Sequence, residues 1–271
     1  MPNLKIVVEL KTMKKIIIQG ISMKKLLAVA IVAATPMMAQ ADLLFTAKAG
    51  ASMWNAEASG DVDGDVDVGK DGLNLDSESN NVLFAAFEHP LPMIPNVKIM
   101  KTDLDLTGEG SANYTFLNQT FTGETSSQFD LSHMDLTLYW GVPLPIPYVD
   151  INFGLTARQF DGVVSVTEKT TGKEEKEDLN FTMPMGYLNV DIGTPFGIYA
   201  RADLNALSFD GNGVTDMAVA LGYTLPIPLV DVNLEAGHRV INVMTDKDTA
   251  GIETDIEVGG MFFGLNVSVG L

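Results

Sequence analysis

The chain has 271 residues, no cysteine and a formal net charge of −18. The lack of thiols excludes cysteine catalysis, thiolate metal sites and a disulfide framework, and it suits a chain that crosses an oxidising compartment. Six of the 17 basic residues fall within residues 1–41, so the remainder sets 11 basic against 34 acidic side chains; a surface of that sign repels phosphate and excludes nucleic acid as a partner.

Residues 23–41 read MKKLLAVAIVAATPMMAQA. Lys24 and Lys25 form a positive leader, Leu26 to Ala34 a short apolar stretch, and Ala39-Gln40-Ala41 a small-residue cleavage site. That order is the mark of a secretory signal peptide, with Asp42 as the first mature residue. Residues 1–22 read as an over-called start, the true one being Met23 or Met13. After residue 41 no run approaches the roughly 18 apolar residues of a membrane-spanning helix.

From residue 42 onward the pattern is that of strands. Val149, Ile151, Phe153, Leu155 and Ala157 alternate with Asp150, Asn152, Gly154, Thr156 and Arg158. Ile198, Ala200, Ala202 and Leu204 alternate with Tyr199, Arg201, Asp203 and Asn205, and the chain closes on Phe263, Leu265, Val267 and Val269 against Gly264, Asn266, Ser268 and Gly270. A period of two gives a sheet one apolar and one polar face. Four short proline-bearing turns punctuate the strands, at 90–95, 143–147, 193–197 and 225–228, because proline cannot join a hydrogen-bond ladder. Longer polar segments lie between them, at about 55–80, 108–126, 161–178, 209–214 and 244–253.

Tight turns alternating with long polar loops is the hairpin layout of an outer-membrane barrel. The expectation is an all-β fold, an up-and-down antiparallel transmembrane β-barrel spanning 42–271 with about ten strands, eight being the alternative count. The predicted strands are 43–54, 81–88, 97–107, 127–140, 149–160, 179–192, 198–208, 215–225, 230–242 and 254–270. In three of them (97–107, 127–140 and 179–192) the apolar phase slips once, which predicts bulges or shifted boundaries. Trp54, Phe87, Tyr139, Trp140, Tyr148 and Tyr223 fall near strand ends and are assigned to the aromatic girdle. A soluble two-layer sandwich is the alternative; it would have to bury Val149, Ile151, Phe153 and Leu155 against a second sheet.

With the apolar face toward lipid, the lumen carries Asp103, Asp105, His133, Asp135, Asp150, Arg158, Arg201, Asp203, Asp231, Glu235 and Arg239. Charges of both signs in a narrow barrel pair with one another, since an unpaired buried charge is costly. His133 and Asp135 share one strand face, and with Asp103 and Asp105 nearby they could activate water. Ten-stranded barrel proteases of the omptin family use an Asp pair and an Asp-His pair, but this chain has no Asp-x-His, and no catalytic residue is assigned. The loop Asp61-Val62-Asp63-Gly64-Asp65-Val66-Asp67 suggests a weak divalent-cation site on Asp61, Asp63, Asp65 and Asp67. Counted from Asp61, however, position six is Val66 and position twelve Gly72, so the EF-hand order is not met. The charged run 169–178 reads as a solvated loop.

The signal peptide, the turns PLPIPYVDI (143–151) and LPIPLVDV (225–232), and the final strand GGMFFGLNVSVGL (259–271) together resemble a family of small Gram-negative outer-membrane β-barrel proteins of undefined function. The resemblance implies a location in the outer membrane, contact with its lipid and lipopolysaccharide, and assembly by the barrel assembly machinery. It implies no cofactor. The chain departs from the general outer-membrane pattern at its end, where Leu271 stands in place of an aromatic residue. The expected function is that of a non-enzymatic membrane barrel, structural or a narrow passive channel. A binding module using loops 55–80, 108–126 and 161–178 and an outer-membrane hydrolase are the alternatives.

Overall fold

The computed structural model describes residues 45–62, 66–69, 73–116, 119–210, 212–245 and 254–270. The signal peptide 23–41, the segment 1–22, Asp42, Asp63, Asp65 and Leu271 lie outside these residues. Thirteen strands follow in chain order: β1 Thr46–Val62, β2 Val66–Asp67, β3 Glu78–Glu88, β4 Asn96–Thr102, β5 Asp105–Phe116, β6 Gln119–Asp130, β7 His133–Gly141, β8 Val149–Glu168, β9 Glu174–Gly193, β10 Ile198–Phe209, β11 Asn212–Leu225, β12 Asp231–Thr245 and β13 Thr254–Gly270. The described residues contain no helix.

Ten of these strands close a ring. β1 pairs with β3, then β4, β7, β8, β9, β10, β11, β12 and β13 follow as successive antiparallel neighbours, and β13 pairs back with β1 from Thr46↔Gly270 to Val62↔Thr254. The ten barrel strands are those the alternation pattern indicates. β5 and β6 are an addition. They form a hairpin in place of the polar loop expected at 108–126, and β6 pairs with the far end of β8 from Thr125↔Glu168 to Phe129↔Val164. The predicted strands 97–107 and 127–140 therefore each divide, into β4 and β5 and into β6 and β7. The expected loop 161–178 is mostly strand as well, with β8 and β9 continuing to residues 168 and 174.

The proline turns lie together at one end of the barrel, the lower end hereafter; the hairpin and the long strand extensions form the upper end. Two of the turns share a backbone device. Tyr148 and Leu229 each follow a proline and precede Val-Asp, and both have positive φ, 64° and 70°. The left-handed residue turns the chain back into the next strand.

The strands invert their polarity half-way along the barrel. On β9 the lower half points Leu188, Val190 and Ile192 outward and Tyr187, Asn189 and Asp191 inward; the upper half points Lys176, Asp178, Asn180 and Thr182 outward and Leu179, Phe181, Met183 and Met185 inward. β8 does the same, with Phe153, Leu155 and Ala157 outside below and Gln159 and Asp161 outside above, while the inside passes from Asn152, Thr156 and Arg158 to Phe160, Val164 and Val166. β13 passes from Phe263 and Met261 to Glu257 and Asp255 on its outer face. No bulge is involved: β9 keeps one register against β8 from Val149↔Ile192 to Thr167↔Glu174. The phase slip in 179–192 is thus neither a bulge nor a boundary error. The lower half is a sheet turned inside out, apolar toward its surroundings, and the upper half is an ordinary β-core with a polar exterior.

The upper core is closed and predominantly apolar. Ala56, Ala58, Leu104, Leu106, Val166, Leu179, Met183, Met185 and Val258 are essentially inaccessible, and the hairpin adds Phe121. In the lower half glycines let aromatic rings lie flat along the inner wall. A side chain at Gly222 would meet the Tyr199 ring at 2.2 Å, and one at Gly237 the Phe262 ring at 2.6 Å.

Candidate functional site

Beneath the apolar core a belt of charged side chains crosses the lumen. Its position follows from the alternation: the inward residues of β7, β8, β11 and β12 at mid-height are His133 and Asp135, Arg158, Asp216 and Arg239, all buried. Arg158 donates from Nε and Nη2 to the two oxygens of Asp135, both at 2.8 Å, and from Nη2 to Asp216 Oδ2 at 2.5 Å. Arg239 donates from Nε and Nη2 to Asp216 at 2.9 and 2.7 Å, and from Nη1 to Thr102 Oγ1 on β4 at 3.1 Å. The Arg239 guanidinium also lies over the Trp54 ring, 4.8 Å from its centroid. Two guanidiniums thus face two carboxylates in forked geometry, the arrangement that best compensates desolvation.

His133, Asp135 and Asp216 bring three potential ligand atoms within 4.8 Å of one another. They do not suit a metal ion. Both carboxylates are engaged by Arg158 and Arg239, and the four charges already cancel, so an added cation would be uncompensated in a buried site. His133 Nδ1 donates to the Leu131 carbonyl at 2.8 Å, its ring packs 5.4 Å from that of Phe160, and its Nε2 has no partner.

Below the belt the lumen widens into a vestibule of about 720 Å³ that reaches the lower end. Tyrosines hold its carboxylates: Tyr139 donates to Glu88 at 2.8 Å, Tyr187 to Asp203 at 3.0 Å and Tyr199 to Glu235 at 2.6 Å. Arg201 pairs with Asp203 at 3.0 Å and with Glu235 at 2.7 Å. Lys48 reaches Glu88 at 2.7 Å, and Lys98 reaches Asp203 at 3.4 Å across the lumen from β4 to β10. Asp150 and Asp231 stand at the mouth.

Of the eleven residues the alternation assigns to the lumen, His133, Asp135, Arg158 and Arg239 meet in the belt, and Arg201, Asp203 and Glu235 meet in the vestibule wall. Asp103 and Asp105 join neither. The chain leaves the wall after Thr102 and turns Leu104 and Leu106 inward, so Asp103 pairs with exposed Lys101 at 2.7 Å and Asp105 accepts from Gln128 at 3.0 Å in the hairpin. Two girdle assignments also fail. Trp54 and Tyr139 point into the barrel, 0% and 4% exposed, whereas Phe87 and Tyr223 are exposed and Tyr148, also exposed, borders the lumen at its lower mouth. In the acidic loop, Asp61 lies opposite both Asp67 and Asp255, and Asp67 accepts the Gly69 N–H at 2.6 Å. Sequence reading missed Asp216, the centre of the belt. Its signal was its phase, since it alternates with Met217, Val219 and Leu221. Lys98, between Val97 and Ile99, was legible in the same way.

No family model matches the chain, and no curated protein matches it either. Among solved structures it is similar to the Pseudomonas putida toluene transporter TodX, with 7% identity and a TM-score of 0.32 over 83% of this chain and 89% of that one. A Pseudomonas aeruginosa FadL homologue gives 8% identity and a TM-score of 0.27, covering 83% and 90%. The deltaS2 mutant of the TodX monoaromatic hydrocarbon channel gives 9% and 0.25, covering 84% and 89%. Likeness at this level assigns this chain neither a ligand nor a transport route.

Proposed function

We propose that the chain is a non-catalytic barrel of the Gram-negative outer membrane, exported by the signal peptide at 23–41, with its lumen sealed rather than conducting. The observation that carries this reading is the polarity inversion. A closed barrel with an apolar exterior and a charged interior is stable only where its surroundings are apolar, and the apolar outer stretch of β8, Val149 to Ala157, fits the roughly 9–11 residues of a tilted membrane strand. The upper half, polar outside, then stands in the aqueous phase beyond the lipid headgroups, and the proline turns face the periplasm. Lipid, lipopolysaccharide and the assembly machinery are the partners this placement requires.

The seal has two parts in series, the ion-paired belt and the closed, largely apolar core above it. Ions entering the vestibule meet a layer of paired charges and then a closed, predominantly apolar segment whose buried polar side chains include Asn80, Thr125, Ser127 and Glu168. The reading is therefore structural, in preference to a passive channel. The test is envelope fractionation and a gel run with and without boiling, followed by planar-bilayer recording. Outer-membrane recovery, heat-modifiable migration and no steady conductance are expected. Recovery in the soluble periplasm without a mobility shift would overturn membrane placement, and a stable open level would overturn the seal. The projecting upper half favours, as a second reading, a surface that binds an external partner.

A further inference from the structure

We propose that the vestibule is a binding site for a small organic cation, such as a quaternary or primary ammonium compound carrying an apolar group. A cavity of about 720 Å³ is of ligand size. Its lining includes seven carboxylates and four basic side chains. All four basic groups are committed: Lys48 to Glu88, Lys98 to Asp203, Arg201 to Asp203 and Glu235, and Arg239 to Asp216. Among the described residues this leaves Asp150, Asp191 and Asp231 without an ion pair, all lining the lower part of the cavity. Asp150 and Asp191 are direct cross-strand partners on β8 and β9, both pointing inward. Arg201 stands opposite Asp191 on its other side and offsets part of its charge; the repulsion left between Asp150 and Asp191 is what a cation between them would relieve.

The walls supply the other half of the recognition. Lys98 shows what they hold: its ammonium sits 5.7 Å from the Phe84 ring centroid, 5.4 Å from that of Tyr187 and 3.4 Å from Asp203. An aromatic pair with a carboxylate is an ammonium cage, here filled by the protein's own side chain. Tyr148 at the mouth offers a further ring beside Asp150 and Asp191, more than half exposed and facing the cavity. An inorganic cation would use the carboxylates and leave the rings idle; a neutral aromatic would leave the carboxylates unrelieved. The inference rests on the cavity itself and does not depend on the placement in a membrane.

The test is titration of the folded barrel in non-ionic micelles with benzyltrimethylammonium, with neopentylbenzene as its neutral counterpart of the same shape and with Mg²⁺. Trp54, on the cavity wall, reports binding by fluorescence in a Trp140→Phe background. Saturable binding of the ammonium is expected, weaker by about tenfold in an Asp150→Asn, Asp191→Asn variant and by several-fold in Tyr148→Leu, in line with the loss of a partly desolvated cation–π contact. Leucine occupies the matching place in the other turn, at 229, so Tyr148→Leu keeps the fold. Equal binding of the neutral compound, displacement by Mg²⁺ alone, an unchanged affinity in both variants, or no saturable signal would each overturn the proposal.

Discussion

Arg158 and Asp216 meet at 2.5 Å across the lumen although β9 and β10 separate their strands around the wall. The Asp216 carboxylate also receives Arg239 from the adjacent strand, so one carboxylate ties β8 to β12 through the lumen. A group that holds two buried guanidiniums is costlier to lose than a single partner.

Replacing Asp216 by alanine takes from Arg239 its carboxylate partner and from Arg158 one of two, leaving it Asp135. We expect a loss of about 3–5 kcal/mol, read as a lower midpoint in urea unfolding of the micellar protein. An Asp135→Ala variant leaves Arg158 its contact with Asp216 and should lose less. Equal losses would mean that the belt does not share its charge as the geometry indicates.

Belt variants should nonetheless stay electrically silent. Arg158→Ala combined with Asp216→Ala empties the middle of the lumen, but Leu104, Met183, Met185 and Val258 still close it above, and an apolar constriction excludes ions by dewetting. Bilayer recordings of that double variant should show no steady current. Current from the belt variant alone would move the gate from the apolar core to the ion pairs.

Depth can be mapped by single cysteines, since the chain has none of its own. Leu188→Cys and Phe263→Cys, on the lower outer face, should resist a charged maleimide in whole cells and proteoliposomes. Thr182→Cys and Glu257→Cys, on the upper outer face, should react. The contrast is expected between positions on neighbouring turns of the same pleat, and a uniform response along β9 or β13 would contradict the inversion.

At Leu229 the backbone φ of 70° is one that a leucine adopts only at a cost of about 1–2 kcal/mol. Glycine relieves it, and the side chain is 92% exposed, so little packing is lost. Leu229→Gly is expected to raise stability by roughly 0.5–1 kcal/mol once the extra freedom of the unfolded glycine is counted, measured by the same unfolding assay.

The alternation of single residues made the lower half of the barrel legible from sequence, because apolar and polar positions there contrast on every strand. Val149 to Arg158 fixes its own orientation without any structural help. The upper half obscured itself. Leu179, Phe181, Met183 and Met185 keep the same period as Leu188, Val190 and Ile192 but on the opposite face, and sequence alone does not say which face meets which solvent. The β5–β6 hairpin was missed for a related reason. Its serines, threonines and glycines present polar groups on both faces for most of its length, so it lacks the contrast that marks a strand. Asp103 and Asp105 were misassigned because β4 stops at Thr102, a break that two alternating acids do not announce. The belt was half visible: the charges were recognised as mutual partners, but the partner at the centre, Asp216, was not.

Because β1 is hydrogen-bonded to β13 along nearly its whole length, the wall is a loop without a seam, and the order in which its strands are made is separate from the order in which they stand. Opening the chain at the turn 225–231 and splicing residue 270 to residue 45 would leave every neighbour relation in the ring intact. Such a rearranged gene tests whether the architecture or the order in which the strands are synthesised governs assembly.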